Sequence, residues 1–276
     1  MSALLEHLHD RCEDIAQRVE RLSHRCEQES LHRLRVDLKK LRAALRLLRA
    51  VDPDFPYKKM YVRYRRVFAQ GGLVRELQLQ LRLLASDTKA DPAFAQQYSR
   101  HLQQQYAVAR GGFRAMARTT KLLPWKRLAA RLGPAEARCT PQRLDRYFLA
   151  MQTRIDQRLA AIGRCSAEEL HDLRKALKDD EANRKLTTHY LHFDPGARAT
   201  DRELEELIDK LGDWHDHLMA AQRLKADLLT TKWSPELRAA GTTLLQRWRR
   251  QCGRYRKELN VLGKQHLTKQ AVPASR

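Results

Sequence analysis

Six basic side chains recur at spacings of three and four residues within one short stretch of the sequence. They are His32, Arg35, Lys39, Arg42, Arg46 and Arg49. Because an α-helix has 3.6 residues per turn, this rhythm predicts a helix with a cationic stripe whose members stand about 5 Å apart along the axis. Cations aligned in this way repel one another, so the stripe predicts a ligand with many negative charges. A solvated helix face is the alternative interpretation.

Leucines follow the same rhythm one residue earlier. They are Leu31, Leu34, Leu38, Leu41, Leu45 and Leu48. On a helix they lie about 100° around the axis from the cations, which gives the helix an apolar side that can pack against neighbours. The leucines therefore predict a buried backing that holds the cationic stripe in place.

The pattern occurs a second time in the chain. At a constant offset of 139, six residues match Leu31, His32, Leu34, Arg35, Leu38 and Lys39, namely Leu170, His171, Leu173, Arg174, Leu177 and Lys178. At an offset of 140, Gly212, His215 and Asp216 match Gly72, Arg75 and Glu76. Two elements repeated almost in register indicate an internal duplication.

The second copy departs from the first immediately after Lys178. Asp179, Asp180 and Glu181 stand where the first copy has Lys40, Leu41 and Arg42, and Lys185 then resumes the basic rhythm. Our hypothesis is that the second half binds weakly, or that its acids pair internally with Arg or Lys. The first half then dominates binding.

Further basic residues recur at helical spacing elsewhere, and with the two stripes, Arg49 excepted, they form the predicted anion-binding set. The additional members are Arg63, Arg66, Arg75, Arg110, Arg114, Arg247, Arg250 and Arg254. Between His101 and Arg138 the one acidic residue is Glu136, so this stretch has little local charge compensation.

The Gly71-Gly72 pair predicts a kink in its helix or a close approach of another helix or a ligand, because two glycines cost a helix about 2 kcal/mol relative to alanines.

These motifs resemble those of the CHAD family, whose name abbreviates "conserved histidine α-helical domain". The resemblance rests on H-x-L-R-V-x-x-K-K-L-R at His32 to Arg42, H-x-L-R-K-x-x-K at His171 to Lys178 and G-x-x-H-D at Gly212 to Asp216. It implies an all-helical protein of two similar four-helix halves around a basic surface. Members of the family are known as inorganic polyphosphate-binding modules of bacteria and archaea. The resemblance therefore implies binding without catalysis, with no cofactor.

Two other classes of function compete with this interpretation. The charge would suffice for nonspecific nucleic-acid binding, although no zinc-finger or RNP signature is present. A metal-dependent phosphohydrolase is the second alternative, suggested by Asp216 between His215 and His217, but such a site needs further ligands from other helices. The sequence contains neither a G-x-x-x-x-G-K-[ST] loop nor a strand-associated G-x-G-x-x-G, which disfavours a nucleotide site. We expect no catalytic residues and no metal ligands.

The composition supports a polyanion partner. The chain contains 54 Lys and Arg against 33 Asp and Glu, a net charge of +21. Residues 1–139 contribute +14 and residues 140–276 contribute +7, so we expect the first half to dominate binding.

Five scattered cysteines without a C-x-x-C pair favour a reducing compartment. With no signal peptide and no membrane span visible, we expect a cytoplasmic protein, and association with polyphosphate granules is a further hypothesis.

Hydrophobic periodicity predicts eight long helices and almost no strands, hence an all-α fold. Pro92, Pro141 and Pro235 follow capping residues at predicted helix starts, and Ser166–Glu169 and Thr200–Glu203 have capping-box spacing. We predict two pseudo-symmetric four-helix bundles, residues 1–139 and 140–276, with a basic groove or pore between them. A linker at about 119–140 contains one short helix near Trp125 to Leu132.

Overall fold

A computed structural model describes residues 1–196 and 201–270 of the chain. These residues form nine α-helices and one short 3₁₀ helix, and they contain no strand. The α-helices are α1 (Ala3–His24), α2 (Gln28–Val51), α3 (Tyr57–Ser86), α4 (Pro92–Thr119), α5 (Trp125–Glu136), α6 (Pro141–Ala160), α7 (Ala167–Tyr190), α8 (Asp201–Thr230) and α9 (Pro235–Gln270). The 3₁₀ helix covers Ile162–Arg164. The all-α prediction is confirmed, and so are the eight long helices and the short helix in the linker.

Side-chain caps fix several helix starts where the sequence predicted them. The Phe94 backbone N–H donates to Asp91 Oδ1 at 2.8 Å at the start of α4. At α7, the Glu169 N–H donates to Ser166 Oγ at 3.2 Å and the Ser166 N–H donates to Glu169 Oε2 at 2.8 Å, which is a complete capping box. The capping box predicted at Thr200 and Glu203 lies outside the residues whose side chains are described.

The chain forms two compact units. Unit 1 comprises Met1–Arg75, Ala109–Ile155 and Lys175–Ala197, and unit 2 comprises Glu76–Val108, Asp156–Arg174 and Arg198–Arg276. These units are defined by packing, whereas the predicted halves are divisions of the sequence. The division into two four-helix repeats stays a prediction.

The core of unit 1 is organised around α2. All six leucines of the predicted apolar stripe are fully buried. The Tyr61 hydroxyl of α3 donates to the Leu38 carbonyl at 3.1 Å, and Tyr64 and Phe113 are fully buried as well. The prediction that leucines back the cationic stripe is therefore confirmed.

The core of unit 2 combines apolar packing with a buried polar network. Trp214, Phe94 and Tyr98 are among its fully buried side chains. The Tyr98 hydroxyl donates to Asp227 Oδ2 at 2.9 Å and accepts from Gln80 Nε2 at 2.5 Å. Both partners are themselves buried, so this network satisfies polar groups that would otherwise destabilise the core.

Candidate functional site

The cations of the α2 stripe lie at the border between core and solvent in unit 1. His32, Arg46 and Arg49 are exposed, whereas Arg35, Lys39 and Arg42 are half-buried. Long basic side chains beside a buried leucine row can cover their aliphatic stems and keep the charged ends near solvent. The three central cations of the stripe are thus covered more than those at its two ends.

Arg35 is the most tightly placed member of the stripe. Its Nη1 donates to the Phe68 carbonyl at 2.6 Å, and its guanidinium carbon lies 4.2 Å from the centroid of the Phe68 ring. Gly72 allows this placement, since a Cβ atom there would stand 3.1 Å from Arg35 Nη1. The predicted close approach at the glycine pair is confirmed, and α3 continues through it without a break.

His32 is less basic than an ordinary histidine. Although the residue as a whole is exposed, partial desolvation of its ring and the positive charge of Arg75 lower the pKa of His32 below its usual value, and Glu29 acts in the opposite direction. At neutral pH His32 is therefore an uncharged hydrogen-bonding group beside the cations. An anion bound next to it would favour its protonated form.

Arg42 and Arg46 share one carboxylate, which belongs to Asp179 of α7. Arg46 Nη1 lies 2.7 Å from Asp179 Oδ2, and Arg42 Nη2 lies 3.4 Å from Oδ1. The hypothesis placed the pairing of these acids within the second half, whereas Asp179 pairs with two arginines of the first copy. The partners lie 133 and 137 residues away in sequence, so local spacing gave no signal for them.

Glu181 also pairs with cations, but within its own helix. Its two carboxylate oxygens contact Lys185 Nζ at 2.9 Å and Lys178 Nζ at 3.2 Å. Burial tends to raise the pKa of Glu181, but the two lysines outweigh it and the pKa is lowered. Both predicted site lysines of α7 are thus partly neutralised where they stand.

The other predicted cations of unit 1 differ in how firmly they are held. Arg63 Nη1 donates to the Lys121 carbonyl at 2.9 Å, and Arg114 Nε donates to the Ser23 carbonyl at 3.3 Å. Arg66 is exposed, and Arg110 is half-buried beside the Cys26 thiol. A bond to a carbonyl leaves the positive charge uncompensated, so Arg63 and Arg114 keep their capacity to attract an anion.

Unit 2 contains a related arrangement around α7 and α8. The rings of His171 and His215 stack with their centroids 4.5 Å apart, and the Arg174 guanidinium lies 3.5 Å from the Cβ position of Gly212. His215 is missing from the predicted site, although its match to Arg75 at an offset of 140 was a signal for it. In unit 1, Arg75 correspondingly lies close enough to His32 to affect its pKa.

The predicted cations of α9 fall into two groups. Arg247 Nη1 lies 2.8 Å from Asp87 Oδ1, and the neighbouring Trp248 Nε1 donates to Asp87 Oδ2 at 3.1 Å. Arg250 and Arg254 are exposed. Arg247 is therefore engaged in an internal ion pair, and the role of all three in binding stays a prediction.

Cysteine thiols and grouped His, Asp or Glu side chains are the groups that could support covalent or metal chemistry. In the parts of the chain that the structure describes, no three His, Cys, Asp or Glu side chains are grouped so that they could hold a metal ion. Each of the five cysteines is a free thiol, and burial raises the pKa of every one, to about 11 for Cys12 and about 12 for Cys139. Thiolate nucleophiles are therefore scarce at neutral pH. Within the described residues, no helix has the length and apolarity needed to cross a membrane.

Comparisons with known proteins agree with the motifs. A family profile described as the CHAD domain matches residues 6–225, so the chain belongs to the CHAD family. Its fold is similar to that in the crystal structure of the CHAD domain from the plant Ricinus communis. The TM-score is 0.71 at 17% sequence identity, over 95% of this chain and 90% of that one. No curated protein matches the sequence.

Proposed function

We propose that this protein binds inorganic polyphosphate through its basic helical stripes and does not transform it. The observation that carries the proposal is the α2 stripe, in which six basic side chains recur along one helix while the adjacent leucines are fully buried. Membership of the CHAD family supports it. The net charge of +21 also favours a long polyanion as the ligand.

The chemistry of the stripe suits a repeating phosphate chain. Polyphosphate offers about one negative charge per phosphate, and cations spaced along a packed helix can neutralise several of them without reading any sequence. The guanidinium of Arg46 can contact two phosphate oxygens at once, whereas Lys39 supplies a compact point charge. Rigid backing limits the entropy lost on binding, and released counterions make the affinity depend on salt.

We further propose that the two copies of the motif are pseudo-symmetric repeats. The pairing of Arg35 with Gly72 in unit 1, and of Arg174 with Gly212 in unit 2, supports a common origin. The first copy is proposed to dominate binding, because residues 1–139 contribute +14 to the net charge and residues 140–276 contribute +7. The basic groove or pore, the cytoplasmic location and the association with polyphosphate granules stay predictions.

The test compares two neighbouring lysines of α2. Lys39→Ala removes a stripe cation, whereas Lys40→Ala removes an equal charge from an exposed position outside the stripe. We expect Lys39→Ala to weaken the binding of a polyphosphate of defined length about fivefold at low salt, and Lys40→Ala to change it less than twofold. Equal losses would mean that general surface charge, not the stripe, binds the ligand.

A competition experiment separates polyphosphate from nucleic acid. Polyphosphate and DNA are offered at equal charge concentration, and we expect polyphosphate to displace the DNA. Preferential retention of DNA would support nonspecific nucleic-acid binding instead. Release of inorganic phosphate in the presence of Mg²⁺ or Mn²⁺ would contradict the non-catalytic assignment.

A further inference from the structure

One acidic side chain lies within the basic stripe of unit 1. The carboxylate of Asp179 contacts both Arg42 and Arg46, at 3.4 Å and 2.7 Å. Its own side chain is 8% exposed, while those of Arg42 and Arg46 are 15% and 44% exposed. In the first copy of the motif the equivalent position holds Lys40, so the second copy has exchanged a cation for an anion here.

The two arginines are held in different ways. Arg42 is largely covered, and Phe68 lies 5.7 Å from its guanidinium carbon, so little of the group is open to a ligand. Arg46 is much more exposed, and its Nη1 contacts Asp179 while the Tyr57 ring centroid lies 6.0 Å from its guanidinium carbon. A guanidinium has five N–H donors in a planar fork. Asp179 and the Tyr57 side chain, which also hydrogen-bonds Arg46, can therefore fix part of the guanidinium, while the 44% of the side chain that is exposed leaves room for an anion.

We propose that Asp179 is a positioning residue for polyphosphate binding, because it fixes the guanidinium of Arg46 with one edge toward solvent. This inference rests on the function proposed above. One buried carboxylate shared by two guanidiniums leaves the group of three with a net positive charge. Lysine at position 46 could not reproduce the arrangement, since an ammonium lacks the planar fork.

The opposite role is a distinct and testable alternative. If Asp179 instead acted as a built-in competitor for the polyanion, its removal would free two cations and tighten binding. The exposures favour positioning: the carboxylate and Arg42 are buried together, so a ligand at the surface would not readily replace Asp179. The two roles predict opposite signs for the same substitution.

The experiment measures polyphosphate affinity for Asp179→Asn, Arg46→Lys and the double variant at one salt concentration. We expect each single variant to bind about tenfold more weakly, which is the scale of one charged hydrogen bond. The double variant should bind less than about twofold more weakly than either single variant, because both substitutions break the same contact. Glu181→Gln, which removes a carboxylate from the same helix, should not weaken binding. Circular dichroism and the melting temperature establish that each variant is folded.

A second measurement needs no polyphosphate. An arginine-specific dicarbonyl reagent is applied to the free protein, and modification of Arg46 is followed by mass spectrometry with the exposed Arg33 as internal reference. We expect Asp179→Asn to raise the relative rate at Arg46 several-fold. Absence of polyphosphate binding by the natural protein would overturn the proposed function, and the labelling result would still decide whether Asp179 holds Arg46. Unchanged labelling, or unchanged or tighter binding by Asp179→Asn, would overturn the positioning role.

Discussion

Arg35 Nη1 lies 3.1 Å from the point that a Cβ atom on Gly72 would occupy, and Arg174 Nη2 lies 3.5 Å from the same point on Gly212. The motif arginine thus packs onto a glycine of a neighbouring helix in each unit. The two distances have different consequences for an added methyl group. At 3.5 Å a Cβ atom on Gly212 would be in ordinary van der Waals contact with Arg174, whereas at 3.1 Å a Cβ atom on Gly72 would require Arg35 to move. The two glycines therefore make a matched pair for testing whether the placement of Arg35 matters.

Alanine at these two glycines should have different consequences. Gly212→Ala should stabilise the protein by about 0.5–1 kcal/mol, since alanine favours helix and no close contact opposes it. Gly72→Ala should stabilise less or destabilise, and should weaken polyphosphate binding several-fold, because the Arg35 guanidinium must shift by a few tenths of an ångström, which strains its 2.6 Å bond to the Phe68 carbonyl. Chemical denaturation and a binding titration check both. Equal behaviour of the two variants would show that Arg35 accommodates the methyl group at no cost.

Polyphosphate affinity should rise as the pH falls from about 8 to about 6. Burial and Arg75 lower the pKa of His32 in the free protein, so the ring is neutral at pH 7. Bound phosphates would raise that pKa again, so binding takes up a proton and becomes tighter as the pH falls through the pKa of the bound state. Each unit of difference in pKa gives up to about tenfold in affinity.

The measurement is the polyphosphate affinity across a pH series in matched salt. In the control variant His32→Gln, the affinity should depend less on pH. Titration of the phosphates themselves acts equally on both proteins and cancels in the comparison. Equal affinities of the natural protein at pH 6 and pH 8 would remove histidine protonation from the binding mechanism.

The helices of this protein were predictable because their signals are local. The leucines of α2 recur every three or four residues, and every one of them is fully buried. The capping box at Ser166 and Glu169 spans a single turn and forms as predicted. Periodicity and capping depend on neighbours within a few residues, so the sequence contains the whole signal.

The internal pairing of the cations was much harder to predict. An acid at position 179 is visible in the sequence, but its contacts with Arg42 and Arg46 depend on how α2 and α7 pack in unit 1. The role of the glycine pair in α3 was ambiguous for the same reason, since a kink and a close approach both favour glycine in the sequence. Long-range packing decides both, and periodicity carries no information about it.

Tyr98→Phe should destabilise the protein without affecting the proposed site. The hydroxyl bonds Asp227 and Gln80, both buried, and burial with the nearby Asp227 charge raises the pKa of Tyr98, so the group stays protonated. Loss of the hydroxyl leaves these partners short of a hydrogen bond, at a cost of about 1–3 kcal/mol. Thermal unfolding should show the loss while polyphosphate affinity stays within twofold. An unchanged melting temperature would mean that Gln105 and His101, which also contact Asp227, satisfy it alone.

The buried Asp180 should resist replacement by the leucine that the first copy has at Leu41. Its side chain is fully buried and lies 2.9 Å from Arg184 Nε, and Arg184 Nη1 in turn donates to the Gly196 carbonyl at 3.0 Å. Asp180→Leu restores the apolar pattern but leaves the charge of Arg184, 18% exposed, without its carboxylate. Breaking one side of such a pair costs about 3–5 kcal/mol, more than the leucine regains by burial.

Denaturation in urea tests this expectation, with Asp180→Leu/Arg184→Met as the companion variant. The double variant should recover part of the lost stability, because it removes the uncompensated charge, but not all of it, because Arg184 also holds the Gly196 carbonyl. If Asp180→Leu alone proved as stable as the natural protein, the ion pair would contribute nothing. The acid in the leucine stripe would then be a tolerated substitution. The expected loss would instead show that Asp180 holds Arg184, whose guanidinium contacts the Gly196 carbonyl in the chain that follows α7.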